Sequence, residues 1–218
     1  MYEAKSKEIV LRRVREALAK SAPFLPPTPD FTSPLHPVVP VEDMSIVFAQ
    51  NFIRNSGKFV YCENQEDFFD QLYIYKKEQN LQHLYVWERN LQNALAHAGI
   101  EFSDNEETFV KDAEASLTTC ESLITRTGSI LVSSANAGGR RLSIYPSTHL
   151  VVAQASQLVP DIKDALQRIR NKYKDNNFPS MVSMVSGPSR TADIEKTLVM
   201  GAHGPKALVL FLIDDLPN

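Results

Sequence analysis

The sequence predicts an α/β protein: a mostly parallel β-sheet with one β-hairpin, preceded by an N-terminal helical arm. Three observations carry this. Between about residues 41 and 100, short strands rich in β-branched and aromatic residues alternate with amphipathic helical stretches, the pattern of parallel strands joined by helical crossovers. The stretch LTTCESLITRTGSILVSS reads as two β-rich runs joined by a turn. Near the end, ALVLFLI runs without a polar residue, which suits a strand covered on both faces.

The elements follow in order. Residues up to about Lys20 are helical, with Ile9, Val10, Val14, Ala17 and Leu18 near helical spacing and Arg12, Arg13 and Arg15 on other faces; this is either a solvated amphipathic arm or a partner-docking one. Pro23, Pro26, Pro27, Pro29, Pro34, Pro37 and Pro40 are too dense for a helix or an interior strand, so a linker separates residues 1–40 from a domain spanning 41–218. There follow a helix from about Asp43 to Asn55, the strand KFVYC, the helix NQEDFFDQLYIYKKEQ, the strand HLYVWE, a helix RNLQNALAHAG closed by Gly99, and a brief strand near Ile100. After the hairpin come the loop ANAGGRRLSIYPST, the strand HLVVAQA, the helix VPDIKDALQRIRNKY, and the strands MVSMVS and ALVLFLI. Between these last two, the pattern predicts a short helix opening at Ser189–Thr191.

Composition narrows the function. The net charge of −3 gives no general basic field for a nucleic-acid backbone. Cys62 and Cys120 are far apart and lack metal-ligand spacing, and His36, His83, His97 and His149 form no metal-binding pattern, so neither a metal nor any other cofactor is expected. No signal peptide and no apolar run of about 18 residues is evident, which reads as a cytoplasmic protein without membrane insertion.

Candidate chemistry lies in four places. Gly187, Ser189, Arg190 and Thr191 form a turn whose backbone donors and guanidinium suit an anion; capping of the expected helix, with Asp193 and Glu195 in its first turn, explains the same residues. Gly138, Gly139, Arg140 and Arg141 form a loop that either approaches a ligand or simply turns, and would make a cationic pocket if it met Arg190. His203 is either a proton carrier or a partner of a helix end. Thr127, Gly128 and Ser129 offer hydroxyls and an N–H to a ligand, or only connect two strands.

GPSRTADIEKTLVMGAHGP closely resembles the C-terminal signature of the LUD-domain family, the lactate utilization protein C group, and TRTGSILV and RRLSIYPSTHLVVA are similar to two further family segments in the same order. The resemblance runs from about Leu117 to Ile213. It implies a three-layer α/β/α fold like that of the NagB/RpiA/CoA-transferase superfamily. It also implies an accessory role in converting L-lactate to pyruvate with iron–sulfur oxidoreductase subunits as partners. The guanidinium groups of Arg190, Arg140 or Arg141 would, on their own chemistry, hold a small anionic ligand in such a protein. Gly187, Ser189, Thr191, Asp193, Glu195, His203 and Gly204 match the signature, which carries over as a pattern and not as roles. Where the family often has an acidic residue just before the Thr-Gly turn, this chain has Ile124-Thr125-Arg126. The alternative is a stand-alone enzyme on a small phosphorylated or CoA-like substrate, with Asp193, Glu195 or His203 as acid or base.

Overall fold

A computed structural model describes residues 3–20, 36, 39–135, 140–174, 177–192 and 197–216. The chain divides into two units, Met1–Val38 and Val39–Asn218. In the first, α1 (Glu3–Lys20) carries an i,i+4 pair between Arg12 and Glu16 at 3.9 Å.

The second unit begins with a 3₁₀ turn, Val41–Asp43, that leads into α2 (Met44–Arg54). Then come β1 (Lys58–Cys62), α3 (Gln65–Glu78), β2 (Leu84–Tyr85), α4 (Arg89–His97), α5 (Glu106–Asp112), β3 (Ala115–Thr118), β4 (Ser122–Ile124) and β5 (Ser129–Ser133). The chain continues through β6 (Thr148–Gln154), β7 (Leu158–Val159), α6 (Ile162–Lys172), β8 (Val182–Val185), β9 (Arg190–Thr191), β10 (Val199–Met200) and β11 (Ala207–Ile213).

Five strands make a wholly parallel sheet in the order β1-β11-β6-β3-β2. A second sheet has the order β7-β4-β5-β8, with β4 and β5 forming the expected antiparallel hairpin. Alternation along the strands sorts the core into layers. Leu208, Leu210 and Leu212 of β11 pack with Val151 and Ala153 of β6 against Phe48 and Phe52 of α2 and against Leu123, Ile130 and Val132 of the second sheet. Val209 and Phe211 face the other way, onto Phe68, Leu72 and Tyr75, which recur at i, i+4 and i+7 along α3. This two-sided burial is why β11 carries no polar residue. The far face of the second sheet is closed by Ala165 and Ile169 of α6 against Ile124, Leu131 and Val159.

Local sequence explains the helix starts. Asn64 caps α3 by accepting the Asp67 N–H at 2.9 Å, and Asp161 and Asp164 form a reciprocal capping box on α6.

The structure corrects several local expectations. Arg190 and Thr191 do not open a helix: they form β9, paired antiparallel with β10 through Thr191↔Val199 and Arg190↔Met200. The segment around Ile100 is not a strand, though Ser103 forms a single bridge to Tyr85. Helix α5 was not foreseen, because seven residues are too few to show a helical period. Val159, which read as the start of a helix, instead forms β7 with Leu158 beside β4, and the helix waits for the Asp161 cap.

Candidate functional site

The Thr127-Gly128-Ser129 turn is built into the core rather than presented to solvent. Gly128 adopts φ 59° and lies so close to α2 that a Cβ would strike the backbone of Asn51 and Phe52. Asn51 Nδ2 donates to the Thr125 carbonyl at 3.0 Å, and Asn55 Nδ2 donates to the Thr127 carbonyl at 2.8 Å. Gly187, at φ 89°, meets the same helix end, where a Cβ would run into the Asn55 carbonyl. Ser129 and Ser186 join the two segments through a 2.6 Å hydroxyl contact. Two motifs that are 57 positions apart therefore clasp the end of α2.

Beyond this clasp, the Ser189 N–H donates to the Pro205 carbonyl at 2.8 Å and the Gly201 N–H to the Ser189 carbonyl at 2.8 Å. A Cβ on Gly204 would stand 3.2 Å from that of Ser189. The GPS and HGP halves of the terminal signature thus meet face to face, and His203 is exposed between them. Arg190 is exposed on β9. Arg141 pairs with Glu106 at 3.4 Å and stacks over Trp87 and Phe109, 5.5 Å and 5.2 Å from the ring centres. Arg140 is exposed, and its carbonyl accepts from Ser143 Oγ at 3.3 Å. Gly138, Gly139, Asp193 and Glu195 lie outside the described residues.

A different group of residues forms an open cleft of about 510 Å³ beyond the carboxyl ends of the parallel strands. That is where open α/β sheets present ligands. Glu88 enters from the turn after β2, Thr119 and Cys120 from the turn after β3, and Gln157 from the turn after β6. Arg168 and Lys172 reach it from the last two turns of α6, and Phe68, Phe69 and Leu91 of α3 and α4 supply an apolar wall.

Glu88 stands at the N-cap of α4 but does not cap it. Instead its two oxygens accept the Thr119 N–H at 2.8 Å and the Thr119 hydroxyl at 2.6 Å. Burial raises its pKa above the ordinary carboxylate value, against the pull of Thr119 and Lys172. Lys172 stretches from the cleft to the buried Glu121, 2.8 Å away, which also accepts from Tyr173 Oη at 2.7 Å and Ser133 Oγ at 2.5 Å. Burial alone would lower Lys172, but the bond and charge of Glu121 hold it above its usual pKa. Arg168 Nη1 donates to the Ser156 carbonyl at 2.8 Å. Burial drives the Cys120 thiol well up, so it is a neutral, unreactive lining group. Chemically, the cleft offers a carboxyl of raised pKa fixed at two points, two cations from α6 and apolar side chains from α3 and α4. Among the described residues no cluster of three or more His, Cys, Asp and Glu is placed to hold a metal ion.

Sequence reasoning missed this group. Glu88 carried a signal, since it is an acid directly after the strand-like LYVW, at the end where ligands bind. Glu121 was also visible as a lone acid inside an apolar β-rich run. Lys172 and Arg168 looked like ordinary solvated cations of an amphipathic helix, and only the packing of α6 shows where they point.

Residues 46–213 match the LUD domain family, and the chain belongs to that family. Among its relatives, Lactate utilization protein C 1 of Bacillus mycoides is 34% identical over 115 residues, covering 51% of this chain and 49% of that one. Lactate utilization protein C of Bacillus subtilis is 32% identical over 117 residues, 52% of this chain and 49% of that one. The uncharacterized protein YkgG of Escherichia coli is 30% identical over 149 residues, 67% of this chain and 64% of that one. The matches span about half the length of the first of these relatives. In fold, the chain is similar to the crystal structure of a DUF162 family protein from Deinococcus radiodurans. That likeness has a TM-score of 0.58 and 16% identity, and it covers 80% of this chain and 99% of that one.

Proposed function

We propose that this protein serves in the use of lactate, as an accessory subunit that works with iron–sulfur oxidoreductase subunits and holds a small organic anion in the cleft at the sheet's carboxyl end. The relatives named lactate utilization protein C support the pathway. The observation that carries the molecular part is the placement of Arg168 and Lys172 on the wall of that cleft. Guanidinium and ammonium groups there pair with a carboxylate while the apolar wall takes the rest of the ligand. Electron transfer belongs to the partners in this reading, since Cys62 and Cys120 lie in separate core clusters on opposite faces of the parallel sheet.

The test is genetic. Deleting the gene abolishes growth on L-lactate and leaves growth on pyruvate unchanged; equal growth on both would overturn the lactate role. Affinity purification from lactate-grown cells then recovers cysteine-rich iron–sulfur proteins, and recovery of the chain alone would overturn the subunit role.

A second reading is favoured by Glu88. A carboxyl with a raised pKa in a cleft is the usual form of a general acid or base. It makes the chain an enzyme in its own right, which requires turnover by the purified protein that Glu88→Gln abolishes.

A further inference from the structure

We infer that the cleft takes an amphipathic organic anion larger than a three-carbon hydroxy acid, with its acidic head on Arg168 and Lys172 and its apolar body on Phe69 and Leu91. This rests on the reading of the cleft as an anion site and specifies the ligand class.

Size is the first argument. At about 510 Å³ the cleft lies within the range of roughly 300–1,000 Å³ typical of pockets that enclose drug-sized ligands. A three-carbon acid paired with Arg168 and Lys172 would leave most of this space, and the apolar wall, to water. The distribution of chemistry is the second. The cations come from α6 alone, whereas the larger apolar side chains, Phe69 and Leu91, come from α3 and α4. A ligand that satisfies both must carry a charged end and an extended apolar part. A polar metabolite of the same size would leave the exposed parts of Phe69 and Leu91, both only partly buried, facing polar groups.

Glu88 is the third. It shares the apolar side with Leu91 and does not oppose an anion as an exposed acid would, because its oxygens are already engaged by Thr119 and burial favours its neutral form. Arg168, which donates to the Ser156 carbonyl, and Lys172, which engages Glu121 and Tyr173, carry more N–H donors than these partners take.

The test is calorimetric titration of the full chain with 4-phenylbutyrate, its neutral amide 4-phenylbutyramide, and L-lactate, with amide NMR shifts to locate binding. The expected result is that 4-phenylbutyrate binds about tenfold or more tighter than either of the others. It also shifts the Thr119 and Leu91 resonances, and Arg168→Gln weakens it about tenfold. Equal binding of acid and amide overturns the inference, as does undiminished binding to a folded Arg168→Gln protein. L-lactate binding at these resonances as tightly as 4-phenylbutyrate overturns the size argument while sustaining the anion site. No binding by any of the three overturns both. Binding of 4-phenylbutyrate by a protein whose deletion leaves growth on lactate intact sustains the inference and removes the lactate role.

Discussion

Glu88 holds Thr119 at two points, its N–H at 2.8 Å and its hydroxyl at 2.6 Å, across 31 positions of sequence. The pair ties the turn after β2 to the turn after β3 and so sets one wall of the cleft. Thr119→Val keeps the shape and the N–H bond but removes the hydroxyl donor. It costs about 1–3 kcal/mol of stability, measured by urea unfolding. It also raises the Glu88 pKa further, which carboxyl-carbon NMR titration reads directly. An unchanged Glu88 titration would show that the hydroxyl does not engage the carboxylate.

Glu88 makes stability depend on pH in a defined direction. Its folded pKa lies above the unfolded value of about 4.3, so the folded state binds the proton more tightly. Its stabilising contribution is fully present below about pH 4.3 and is lost as pH rises through the folded pKa. Glu88→Gln has no such term. Wild type therefore loses stability relative to Glu88→Gln as pH rises from 4 towards neutrality, and a difference independent of pH contradicts the placement of the carboxyl.

His149 works in the opposite sense. It is buried on β6, its Nε2 lies 2.9 Å from Thr118 Oγ1, its Nδ1 has no partner among the described residues, and burial lowers its pKa to about 4. Below the unfolded value of about 6.5 the unfolded chain binds the proton first, so stability falls as pH drops from about 6.5 towards 4. The full loss is roughly 3 kcal/mol. His149→Leu removes this acid sensitivity, which unfolding curves at pH 7 and pH 4.5 would show as a smaller difference than in wild type.

Three glycines with positive φ separate backbone strain from close packing. Gly99 faces open space at φ 69°, so Gly99→Ala pays only the left-handed backbone cost, about 1–2 kcal/mol. Gly128→Ala and Gly187→Ala pay the same cost and also push α2 away. Both are expected to lose clearly more stability than Gly99→Ala in urea, and equal losses would mean that the clasp on α2 yields easily.

Part of this was legible in the sequence, for identifiable reasons. The all-apolar run of β11 announced a strand buried on both faces, and the Gly128 turn announced the hairpin, because in each case the local pattern is dictated by where the strand sits. Arg190 and Thr191 misled because a Gly-Pro turn before Thr-Ala-Asp-Ile-Glu looks like a capped helix, and the pairing that makes them a strand comes from Val199 and Met200 further along the chain. The candidate segments around Gly128 and Gly187 proved to be joined to each other and to the end of α2, and Ser189 to the Gly201–Pro205 segment, which no local pattern encodes. The cleft was the least legible part. Glu88, Thr119 and Lys172 lie on separate elements, and only the order of the parallel strands brings them together.

The most direct test of the account is complementation of the deletion strain with the full chain carrying Arg168→Gln, checked for native circular dichroism. The account predicts that wild type restores growth on L-lactate and that folded Arg168→Gln does not. Full restoration by Arg168→Gln would contradict the claim that the cleft at the sheet's carboxyl end is where this protein works.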